Sequence, residues 1–140
     1  MENNKVKITV QVSVKATMEK VWKAWTSPED IIKWNAASDD WHTTKAENDL
    51  KVGGKFSYRM EAKDGSFGFD FGGTYDAVKT NELIAYTMDD GRTSIITFEQ
   101  KDNEINIIQT FEAENENSVE LQQNGWQAIM DNFKKYIENL

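Results

Sequence analysis

Cysteine is absent from the 140-residue sequence, and proline and histidine each occur once. Without cysteine there is no disulfide, no thiolate-held zinc or iron–sulfur centre and no thiol nucleophile. The single histidine, His42, excludes a His-rich metal site and a pair of histidines sharing acid–base work. No apolar run approaches the roughly 20 residues that span a bilayer as a helix, and the first residues lack the apolar segment of a signal peptide. Positive charge is also scarce, with Lys+Arg 16 against Asp+Glu 24 and a net charge of −8 at pH 7. Phosphate backbones and anionic bilayers both select basic surfaces, so neither nucleic acid nor a membrane is expected as a partner. The expectation is a soluble, cytoplasmic protein of one domain over 1–140, without a metal or other cofactor.

Aromatic residues are plentiful: Trp 5, Tyr 4 and Phe 7. Low proline, 8 glycines and the lack of any repeat or low-complexity tract predict a chain folded nearly end to end.

Val6, Ile8, Val10, Val12 and Val14 alternate with polar residues, the period of a half-buried strand. The period then changes. Met18, Val21, Trp22 and Trp25 form a helical stripe with Thr17 placed to cap it. Ser27-Pro28-Glu29-Asp30 restarts a short helix, with Ser27 as N-cap, Pro28 at its first position and Ile31, Ile32 and Trp34 on one side. After a polar loop, Asn35 to Asp40, strands are expected over 41–46, 55–63, 66–78, 83–88, 92–100 and 104–112, broken by turn signals. A two-residue turn at Asp64-Gly65 sets Tyr58 opposite Phe71 and Met60 opposite Phe69. The same register sets Arg59 opposite Asp70 on the other face, sorting apolar from polar on both strands. Phe98 should likewise face Ile107. Gly68, Gly72 and Gly73 inside one strand predict strong curvature. Glu112, Glu114 and Glu116 read as a solvated acidic loop. From Ser118 to Leu140, Trp126, Ile129, Met130, Phe133 and Ile137 repeat at helical spacing. The class is α+β: a curved antiparallel sheet of about six strands wrapped on one long C-terminal helix.

Three stretches and their order resemble a known family. Val21-Trp22-Lys23-Ala24-Trp25-Thr26-Ser27-Pro28-Glu29 is similar to its "VWxAxTxPE" helix–break–helix opening. Asn48-Asp49-Leu50-Lys51-Val52-Gly53-Gly54-Lys55-Phe56 is similar to its "DLRxGGxF" segment, and Gly125 to Phe133 to its "GWxxxLxxL" final helix. The chain thus resembles the START-like (SRPBCC, helix-grip) superfamily, and within it the bacterial family homologous to the C-terminal domain of the heat-shock chaperone ATPase activator. The resemblance implies a cavity between sheet and long helix, used across the superfamily for lipids, sterols, polyketides and plant hormones. The chain departs from the family after Trp34, where Asn35 to His42 replaces an aromatic-Gly-Pro continuation. That loop helps form the pocket mouth in this fold, so no ligand identity carries over.

The residues that would line such a cavity are Trp41, Tyr58, Met60, Phe69, Phe71, Tyr86, Phe98, Trp126, Met130 and Phe133, large rings and adaptable methionines suited to an apolar guest. The same stripes also serve a filled core. His42, following Asp39 and Asp40, is a polar group at the expected mouth and the best available general base. No Ser/His/Asp spacing accompanies it, and no catalytic or metal-binding residue is assigned. Arg59 with Asp70, and Asp89 with Arg92 about the Asp90-Gly91 turn, read as structural. Gly53-Gly54 lacks the lysine and following helix of a phosphate loop, and Asp64-Gly65 lacks calcium-loop spacing. The leading expectation is non-catalytic binding of a small, largely apolar ligand such as a lipid or polycyclic metabolite. The alternatives are an interaction domain with a chaperone as partner and a polyketide cyclase-like enzyme using His42.

Overall fold

The computed structural model describes residues 6–140. In chain order it contains β1 (Lys7–Val14), α1 (Met18–Thr26), α2 (Pro28–Trp34), β2 (Trp41–Asn48), β3 (Lys55–Ala62), β4 (Gly68–Lys79), β5 (Leu83–Met88), β6 (Thr93–Lys101), β7 (Glu104–Glu112) and α3 (Val119–Glu138). The strands form one antiparallel sheet in the order β1-β7-β6-β5-β4-β3-β2, so the first strand and the run of six make seven. Strands β2 to β7 are a meander of local hairpins. Only β1 pairs across the length of the chain, with Val10 opposite Gln109 and Val14 opposite Ile105.

The hairpin register expected from sequence is present: Tyr58 faces Phe71, Arg59 faces Asp70, Met60 faces Phe69, and Phe98 faces Ile107. The first turn is longer than expected. Lys63 gives its N–H to Asp40 O instead of completing the ladder, Gly65 N–H closes on Ala62 O, and Asp64 Oδ1 accepts from Ser66 N–H. Lys63 to Ser66 is therefore the loop, with Gly65 at φ +78°, where a side chain would be strained. In β4 the ladder shifts register between Tyr75 and Ala77, and in β2 between Thr43 and Lys45. A Cβ on Gly73 would fall against the Thr87 carbonyl oxygen of β5. Register shifts and close backbone approach together bend the sheet into a half-barrel.

The helices follow from their caps and stripes. Thr17 Oγ1 accepts from Lys20 N–H at the start of α1. Ser27 ends α1 and begins α2 through backbone geometry and Pro28, and its hydroxyl makes no capping bond. Ile31 and Trp34 are buried, while Ile32 is exposed. Asp30, buried on α2, accepts from the Tyr136 hydroxyl of α3 and from Lys23 Nζ of α1, joining the three helices. On α3, Gln127 Nε2 donates to Gln11 O at 2.9 Å and Lys134 Nζ to Ser13 O at 2.7 Å, fixing the helix across β1. The core beneath is Val10, Val14, Val21, Ile105, Ile107, Phe111 and Phe133, all essentially inaccessible. Each such side chain contributes about 1.5–3 kcal/mol by transfer from water.

Candidate functional site: an aromatic cavity

Between the concave face of the sheet and α3 lies a cavity of about 520 Å³, within the usual range for small-molecule sites. The two-residue period of the strands sends Phe56, Tyr58 and Met60 of β3, Phe69, Phe71 and Tyr75 of β4, and Tyr86 of β5 to its floor. Trp126, Ile129 and Met130, at i, i+3 and i+4 on α3, form its roof, and Trp25 and Trp34 close one side. Trp126 stacks on Phe111 with centroids 3.9 Å apart and meets Phe71 edge-on at 5.9 Å. Phe56 touches Tyr58, Phe71, Tyr75 and Tyr86, with centroids 4.9–5.9 Å apart. Rings locked by neighbouring rings keep the walls apart without collapsing.

Of the residues the sequence pointed to, Trp41, Tyr58, Met60, Phe69, Phe71, Tyr86, Trp126 and Met130 line this cavity. Phe98 and Phe133 do not. They pack against Trp25, at 5.8 and 4.9 Å, where α1 and α2 fill that part of the half-barrel. Both face inward as their periods require, but periodicity does not say which inward residues a helix covers. On β2, Trp41 lines the cavity and Thr43 is buried, its hydroxyl donating to Asn35 O at 2.6 Å. Alternation therefore turns His42 to the outer face, opposite Glu61. Arg59 lies on that outer face too, 2.9 Å from Glu61 and 3.5 Å from Asp70, a surface cluster of small energetic weight.

The polar part of the wall escaped the sequence reading. Gln109 is buried inside β7, and its Nε2 donates to Ser94 Oγ at 2.9 Å and Tyr86 Oη at 3.2 Å. Arg92, read as a turn residue, lines the cavity. Its Nε bonds Asp90 at 2.8 Å and its Nη1 bonds Glu112 O at 3.3 Å. The acidic stretch is not simply solvated. Glu112 is buried and accepts from Thr93 N–H, and Glu114 lines the cavity. Glu114 takes N–H groups from Glu116 and Asn117 and the Asn117 side-chain amide, shaping the loop into α3. Gln122 joins the same loop by accepting from Glu114 N–H. The one available signal was arginine among acids beside a Gly turn, which surface loops share.

Burial keeps the cavity's hydroxyls neutral. It pushes Tyr86 up to about 12 and holds Tyr58 well above the ordinary tyrosine value, with Tyr75 and Tyr86 nearby adding to the shift. Glu114 is held below the ordinary glutamate value by the N–H and side-chain amide of Asn117. Burial opposes ionisation of Asp90, but the backbone and guanidinium of Arg92 outweigh it and leave its value lowered. Among the described residues, no cluster of His, Asp or Glu could hold a metal ion, and no helix is long and apolar enough to cross a membrane.

Comparison with known proteins places these features. A solution structure of the AHSA1-like protein from Aeromonas hydrophila matches 96% of this chain and 93% of its own, at 45% identity and a TM-score of 0.90. A solution structure from Cytophaga hutchinsonii matches 95% of this chain and 92% of its own, at 56% identity and a TM-score of 0.83. A crystal structure from Chromobacterium violaceum shares the fold at 23% identity, with a TM-score of 0.84 over 94% of this chain and 96% of its own. No curated protein matches the chain. The family model described as Activator of Hsp90 ATPase homolog 1-like protein matches residues 15–138, and the chain belongs to that family.

Proposed function

We propose that this protein binds a small, largely apolar molecule in the cavity between the sheet and α3, without transforming it. The observation that carries the reading is an aromatic-walled space of about 520 Å³ standing open in the folded chain. A filled core would close such a space, because each unfilled volume costs dispersion contacts and hydrophobic burial. A ring-lined pocket retains those contacts for a guest. The unfilled volume is thus stability given up at one place for binding, and the ring contacts around it hold the walls apart. No catalytic role is proposed, since His42 lies on the outer face.

Native and denaturing mass spectrometry of protein purified gently from its own host tests the reading. An added mass present only in the native spectrum is the expected result. A bare polypeptide mass, unchanged after incubation with lipids and aromatic metabolites, overturns it. In that case the interaction reading takes its place, and its own test is the ATPase rate of the host's chaperone with and without the protein.

A further inference from the structure

Among the described residues lining the cavity, Arg92 carries the only positive charge and Glu114 the only negative one. The Arg92 side chain is only 21% exposed. Two bonds fix it, Nε to Asp90 and Nη1 to the Glu112 carbonyl. The rest of the guanidinium fork, Nη2 included, makes no hydrogen bond among the described residues. A guanidinium presents five N–H donors in a rigid plane, so the donors left over are oriented without being consumed. Tyr86 lines the same cavity, and its hydroxyl accepts from Gln109 and retains its own proton.

From this arrangement we infer that the molecule bound in the cavity is an anion: an apolar, ring-sized body ending in one carboxylate, with the carboxylate on the free edge of Arg92. This rests on the apolar-ligand reading above and adds the chemistry of the head group. Two effects oppose it. The net charge of −8 repels anions at long range, but exposed charges are screened beyond about 8 Å at physiological salt. Glu114 is closer and stays charged, but the Glu116 and Asn117 N–H groups and the Asn117 amide hold its carboxylate in the loop, and it makes no ion pair with Arg92 among the described residues. A charge-assisted bond from a mostly buried guanidinium acts at contact distance in a low-dielectric wall, where it outweighs both.

The test uses 4-(1-pyrenyl)butyric acid and its methyl ester, which share a body and differ in the charge. Trp25, Trp34, Trp41 and Trp126 line the cavity, so energy transfer from tryptophan to pyrene reports occupancy directly. The acid should bind the wild-type protein roughly tenfold more tightly than the ester, the ratio one charge-assisted hydrogen bond supplies. Arg92→Gln should remove that preference, bringing the acid and ester affinities to within about twofold of each other. Glu114→Gln should tighten the acid alone. The wild-type comparison needs no variant, so a poorly folded Arg92→Gln protein does not shield the inference. Equal affinity of acid and ester for the wild type overturns the anion assignment and leaves apolar binding standing. Absence of transfer with both probes overturns the apolar-ligand reading itself, and this inference with it.

Discussion

Phe71 and Phe133 both point inward, yet their truncation should have different consequences. Phe133 is wholly buried against Trp25 and Trp34. Phe133→Ala should cost about 3–5 kcal/mol in urea denaturation, with ligand affinity otherwise unchanged in the folded fraction. Phe71 lines the cavity and is half-buried. Phe71→Ala should cost less stability and weaken ligand binding, and affinity that merely tracks stability across both variants would contradict this. Glycines separate in the same way. Gly73→Ala forces a methyl group onto the Thr87 carbonyl and should cost about 2–3 kcal/mol. Gly65→Ala has open space around it and only its positive φ to overcome, about 1 kcal/mol. Tyr86 makes stability depend on alkaline pH. Its folded value near 12 lies above the unfolded value near 10. The contribution is therefore complete below pH 10 and is lost as pH rises through about 12. The loss is of the order of 2–3 kcal/mol, and Tyr86→Phe should make that part of the stability–pH curve less steep, the raised Tyr58, Tyr75 and Tyr136 accounting for the slope that stays.

Caps distinguish the elements. Thr17 and Ser118 each accept a backbone N–H in the first turn of their helices. Thr17→Ala and Ser118→Ala should each cost about 1 kcal/mol in denaturant titrations. Ser27 makes no such bond, so Ser27→Ala should change stability by well under that amount. This is also the scale at which the sequence was most readable. A strand period of two and a helical stripe are local properties, and the sorting of apolar from polar faces gave the β3–β4 and β6–β7 registers correctly. The first turn differed because Lys63 N–H found Asp40 O on a neighbouring segment, a partner that no local pattern reveals.

At the scale of the whole molecule, legibility falls where distant segments meet. Which inward rings face the cavity depends on where α1 and α2 sit, and that separated Phe98 and Phe133 from Phe71 and Trp126. The polar wall depended on the loop before α3 folding back on the β5–β6 turn, which brought Arg92 and Glu114 to one cavity. Family resemblance supplied the architecture, but it did not point to the charges in the cavity wall. The pairing of β1 with β7 has a consequence for synthesis. Thr9 and Thr110, whose hydroxyls bond across that pair, are 101 residues apart. At about 5–20 residues per second, β1 leaves the ribosome roughly 5–20 s before its partner strand. Throughout that interval an apolar, β-branched strand is without its mate, so nascent chains stalled before β7 should be the form most dependent on holding factors.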